Sequence, residues 1–164
     1  AAVPPQGRRA RIDGDEVLTK RAVKEAAQIV KSGAGGVVFF RIAYLWDSPD
    51  QERVDGLYAT AGAPRMFSVF DQANRNMVYR TTSHGGNLHC GQVPHAFRGH
   101  RRDAQSPIKH YGYMLEEDRQ RKHVWYNKTD SLRGRVKEGN YDHILGKSNR
   151  IAPGPVKFRE FIDD

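Results

Sequence analysis

The stretch GVVFFRIAYLW, residues 36–46, constrains the fold more than any other part of the chain. β-Branched and aromatic residues follow one another with hardly a polar break, which predicts a largely buried strand. Immediately before it, LTKRAVKEAAQIVKSG places Leu18, Ala22, Val23, Ala26, Ala27 and Val30 on one face and stops at Gly33. That spacing predicts a helix packing by this face. A second helix is expected over 114–128, MLEEDRQRKHVWYNK, whose acidic first turn and later basic residues suit the helix dipole.

Between the two helices, DSPDQERVDG reads as a polar loop with a turn around Pro49. GLYAT, RMFSVF and NMVYRTT read as short strands, separated by turns at GAP and DQANRN. From Ser83 to His100 the chain is rich in His and Gly, and after about residue 130 the pattern weakens, closing on PVKFREFIDD. The expected fold class is α/β, a mixed sheet with flanking helices, with residues 1–10 as a flexible lead and 11–164 as a single domain. A doubly wound domain ordinarily opens with its own strand, so a chain whose first strong element is a helix is expected to begin partway through a domain.

The 164 residues suffice for a real core without disulfides or metals. The formal charge of +8 predicts attraction to anions: nucleic acid, an anionic membrane surface or phosphorylated small molecules. No window approaches the roughly 18 apolar residues of a membrane span, and Cys90 stands alone, so no intrachain disulfide forms. That fits a reducing compartment, and the expected location is the cytoplasm.

Two short segments carry chemistry. RIDGDEVLT presents Asp13, Asp15 and Glu16 at the start of the first helix. Two Asp one residue apart across a turn can point to the same side, and such oxygens suit Mg²⁺ or Mn²⁺ bridging to substrate phosphates. An EF-hand is excluded, because the sixth position from Asp13 is Leu18 and the twelfth is Lys24. The plainer alternative is a turn at Gly14 with Asp15 or Thr19 capping the helix. In the second segment, KHYGYMLEEDRQRKHVWYN, Lys109, His110, Tyr111 and Tyr113 crowd around Gly112 just before the second helix. Gly112 allows a tight turn or a close approach. His110 can ligate a metal, and Lys109 or Arg119 can meet phosphate. A packed aromatic loop with solvated charges explains the same residues.

Taken together, RIDGDEVLT, GVVFFRIAYLW, PRMFSVF and KHYGYMLEEDRQRKHVWYN resemble, in that order, family 2 glycosyltransferases of the GT-A fold, over about residues 11–130. The resemblance implies metal-dependent transfer of a sugar from a nucleotide-sugar donor to a sugar, lipid or protein acceptor hydroxyl. It assigns Asp13 and Asp15 to the cation, Mg²⁺ or Mn²⁺, with His110 as a further ligand from the C-terminal side. Lys109, Tyr111 and Arg119 fall to substrate binding. Glu117 is the preferred base that deprotonates the acceptor, with Asp118 beside it and Glu116 and Asp47 as further candidates. The family's nucleotide-binding βα units have no counterpart here. The resemblance therefore implies the C-terminal portion of such an enzyme, completed by an oligomer or by a separate nucleotide-binding portion and inactive alone.

His84, His89, Cys90, His95, His100 and His110 have the side chains of zinc ligands, but their spacing matches no structural zinc motif. HRRD and RQRKH could follow a phosphate backbone. The alternative from another class is thus a basic, non-catalytic nucleic-acid-binding module.

Overall fold

In the computed structural model, residues 7–33, 36–69, 101–131, 141–149 and 152–163 are described. The expected strand NMVYRTT, the turn DQANRN, and His84, His89, Cys90, His95 and His100 lie outside them. The chain divides into two compact units: residues 1–13, 18–41 and 62–107 form the first, and residues 14–17, 42–61 and 108–164 the second. The composition is mixed α/β, as the sequence predicts.

In the first unit, β1 (Gly7–Ala10) runs antiparallel to β5 (Gly62–Val69), pairing Gly7 with Val69 and Ala10 with Met66. The flexible lead expected for residues 1–10 thus includes a strand. β5 pairs in turn with the opening half of β3 (Val37–Trp46). Val38 faces Met66 and Phe39 faces Pro64, so Arg65 is an extra residue in the ladder. A bulge beside Pro64 has a simple cause, since proline brings no N–H to the sheet.

Helix α1 (Lys20–Lys31) begins where Thr19 Oγ1 accepts the Ala22 N–H at 3.0 Å and donates to the Pro107 carbonyl at 2.9 Å. It ends at Gly33, whose φ of 64° stops the helix. The buried face differs from the expected one. Ala22 and Ile29 are buried, whereas Val23 and Val30 are exposed. The helix is turned so that its largest aliphatic residue, Ile29, faces inward. Glu25 on that side accepts the Gln105 and Ser106 N–H groups at 3.0 and 2.8 Å. Burial raises the Glu25 carboxyl, but these hydrogen bonds and the Arg102 charge outweigh it and leave the pKa below its usual value.

In the second unit, the remainder of β3 pairs with β4 (Ser48–Arg53), and β4 with β7 (Phe158–Glu160). The segment DSPDQERVDG is therefore largely a strand rather than a loop. β3 is buried on both faces, as its apolar run requires. Ala43 and Leu45 pack with Phe161, Tyr111 and Met114. Tyr44 and Trp46, on the opposite side by strand alternation, pack with Tyr58, Ala152 and Tyr113. The expected strand GLYAT is instead a short helix, α2 (Leu57–Thr60), entered through Gly56 at a φ of 49°. The short β2 (Glu16–Leu18) precedes α1, β6 (Arg101–His110) leads into α3 (Glu116–Ser131), and a 3-10 turn covers Asp142–Leu145.

Glu52 and Arg53, at the end of β4, are buried charges, and each has a partner. Arg53 Nε and Nη2 both reach the Asp55 carboxylate at 2.7 Å, and Nη1 donates to the His143 carbonyl. The Arg53 guanidinium also lies over Trp46 and Tyr58, 4.6 and 4.2 Å from the ring centroids. Glu52 is held by Arg159.

Candidate functional site

Asp15 and the end of β6 are joined first by the backbone, where the Tyr111 N–H donates to the Asp15 carbonyl at 2.8 Å. That bond brings RIDGDE against KHYGY across most of the chain. The Asp15 carboxylate then meets a lysine and a histidine side chain. Its Oδ2 accepts from Lys122 Nζ at 2.7 Å and lies 3.6 Å from His110 Nε2. Lys122 projects from α3 and also lies over the Tyr113 ring, 4.8 Å from its centroid.

Gly112 makes this convergence sterically feasible. A Cβ at that position would come closer than 3.0 Å to Asp15 Oδ2, Lys122 Nζ and His110 Cε1. The three polar groups thus occupy the volume a side chain would fill. The His110 ring is held by neighbouring aromatics, with its centroid 4.8 Å from Tyr44 and 5.0 Å from Tyr113. Tyr44 and Tyr113 stack on each other at 5.7 Å.

The electrostatics follow the geometry. Burial raises the Asp15 carboxyl, but the His110 charge and the hydrogen bond and charge of Lys122 together outweigh it, holding Asp15 below its usual range. Tyr113 is pushed well above an ordinary tyrosine, chiefly by burial. The phenol therefore stays neutral beside the Lys122 ammonium.

The other nominated residues fall as follows. Asp13, in the first unit, pairs with the bulged Arg65 at 3.2 Å. Glu16 is buried. Lys109 is bound to Asp163 at 2.6 Å and Tyr111 packs on the Ala43 cluster. Arg119 is buried, donating to the Tyr113 and Met114 carbonyls and to Asp47 Oδ1 at 2.7–2.9 Å. It also covers Trp46 at 4.4 Å, so its hydrogen-bonding capacity serves the loop that carries Tyr113. Asp118 pairs with Arg121 at 2.6 Å, and Glu117 borders an open groove along α3.

Lys122 is the site residue that the sequence reading did not nominate, although it is the last member of the pattern Glu116-x-x-Arg119-x-x-Lys122. Among the described residues, no three His, Cys, Asp or Glu side chains form a metal-binding group. Asp15 Oδ2 and His110 Nε2 bring one oxygen and one nitrogen within 3.6 Å of each other, with Lys122 Nζ on the same carboxylate oxygen. Among the described residues, no helix is long and apolar enough to cross a membrane. No protein-family model, curated protein or solved structure matches the chain.

Proposed function

We propose that this chain carries the cation-binding and acceptor portion of a nucleotide-sugar-dependent glycosyltransferase, as its motif order suggests. One observation carries the reading. Asp15, His110 and Lys122, from three separate segments, meet around Gly112, where a side chain would close the space.

Asp15 and His110 would hold the cation, and Lys122 would offer a second positive charge to the donor's diphosphate. A bound Mg²⁺ or Mn²⁺ would neutralise charge on the departing diphosphate. In the transfer, the bond between the sugar carbon and the phosphate oxygen breaks and the acceptor oxygen bonds to that carbon. The acceptor proton passes to a carboxylate. We assign that role to Asp118 in preference to Glu117, because Asp118 is one helical turn from Lys122 and shares its face of α3. The second unit then has a donor-facing group of cations and a carboxylate on the neighbouring turn.

The test uses inorganic pyrophosphate, which carries the relevant charge and needs no base-binding pocket. Calorimetric titration with and without Mn²⁺ should show Mn²⁺-dependent binding that is lost in Asp15→Ala and weakened in His110→Gln. Pyrophosphate binding that ignores Mn²⁺ would overturn the reading. So would tight oligonucleotide binding that collapses between two salt concentrations without any metal effect, the behaviour of a basic nucleic-acid module.

A further inference from the structure

Helix α3 carries a polar stripe on a face different from the one that presents Lys122. Glu116, Gln120 and His123 recur at helical spacing and line a cavity of about 630 Å³ within the second unit. Across it stand Trp46, Leu145 and Phe158. This volume falls in the usual range of about 300–1,000 Å³ for small-molecule sites.

The polar groups are ordered by one another. Gln120 Nε2 donates to Glu116 Oε1 at 3.0 Å. His123 Nε2 lies 2.9 Å from Asp142 Oδ1 and 3.0 Å from Asn127 Nδ2. The stripe thus offers a carboxylate, an amide and an imidazole with fixed neighbours, a set that both donates and accepts.

Charge narrows the ligand. The chain as a whole is strongly basic, but this cavity is not. Arg119, its cation, is already committed to Asp47 and to two backbone carbonyls. Glu116 is on the wall and Asp142 stands behind His123. A phosphate entering here would meet carboxylates and no uncommitted guanidinium. An apolar ligand would desolvate the Glu116, Gln120 and His123 side and leave unmet the donors and acceptors that their mutual hydrogen bonds do not use. What suits both walls is a neutral ring with hydroxyls on its edge and C–H groups on its face.

We infer that this cavity is a saccharide-binding site, with Glu116, Gln120 and His123 meeting the ring hydroxyls and Phe158 meeting its apolar face. Binding here needs no metal and does not depend on the Asp15–His110 site, so either assignment can fail alone.

The experiment titrates the full chain in EDTA with glucose, galactose, N-acetylglucosamine and cellobiose, followed by saturation-transfer NMR and calorimetry. At least one should bind, with Kd in the range of about 1–10 mM expected for a small open site. Gln120→Ala changes an exposed helical position, and Phe158→Ala a side chain that is 43% exposed, so both variants should fold. Each should weaken binding by about three- to tenfold, the worth of a hydrogen bond or an apolar contact. Asp15→Ala should leave it unchanged. Absence of binding for all four sugars would overturn the inference. Unaltered affinity in both cavity variants, or displacement of the sugar by inorganic phosphate, would also overturn it.

Discussion

Replacing Gly112 by Ala asks whether the convergence of Asp15, His110 and Lys122 depends on the missing side chain. The new methyl would press on the Asp15 carboxylate, the Lys122 ammonium and the His110 ring edge, the last at 2.8 Å. Lys122 can retreat along its flexible stem, but only by giving up its 2.7 Å bond to Asp15. That pair is partly exposed, with side chains 19% and 36% accessible, so solvent screening limits its worth to about 0.5–1 kcal/mol. His110, packed against Tyr44 and Tyr113, has less freedom to move. Overpacking of this kind costs about 1–3 kcal/mol. The total of about 1.5–4 kcal/mol corresponds to a fall in Tm of about 3–16 °C for a chain of this size. Thermal unfolding followed by circular dichroism measures it. Lys122→Ala alone should cost about 0.5–1 kcal/mol. The double variant should be less unstable than the sum of the singles, because removing Lys122 makes room for the methyl. A Gly112→Ala protein melting within about 1 °C of wild type would refute the crowding argument.

Three further outcomes follow from the fold. Thr19→Ala removes the cap of α1 and its tie to Pro107, and should lower stability by about 1–2 kcal/mol in urea denaturation. Asp55 is raised by burial but lowered more by the Arg53 hydrogen bond, the Lys157 N–H and the Arg53 charge, leaving its folded pKa below the unfolded value. Its contribution is thus complete above about pH 4 and lost as pH falls through the folded pKa. Asp55→Asn should therefore flatten the acid limb of the stability profile, while Asp55→Ala should cost about 3–5 kcal/mol by stranding buried Arg53. An unchanged acid limb would contradict this. Tyr58 Oη is buried with no hydrogen-bond partner among the described residues, and burial raises its pKa far above the ordinary value, so Tyr58→Phe should leave Tm unchanged or higher.

β3 was legible in the sequence because burial on both faces leaves a continuous apolar run. β4 was not, since Glu52 and Arg53 look like solvated charges until Arg159 and Asp55 are brought beside them. The existence of α1 was equally plain from its cap and its stop. Its buried face was not, because the packing of Ile29 and the bonds made by Glu25 depend on tertiary neighbours. At the site, the pairing of Asp15 with His110 was legible as two unusual segments in order. Asp13 was expected beside Asp15, yet it pairs with Arg65, the extra residue of the bulge beside Pro64, a partner 52 residues away that no helix or turn pattern announces. Lys122 lay hidden in a basic run, where one of several cations gains meaning only from the turn of α3 that aims it at Asp15.

The most direct measurement is paramagnetic relaxation of the histidine ring protons on adding Mn²⁺ with pyrophosphate, with His110 assigned through His110→Gln. The account predicts that His110 broadens first and strongly, that His123 is affected far less, and that Asp15→Ala abolishes the effect. Equal broadening of all histidines, or no broadening of His110 at Mn²⁺ concentrations that saturate pyrophosphate, would contradict it.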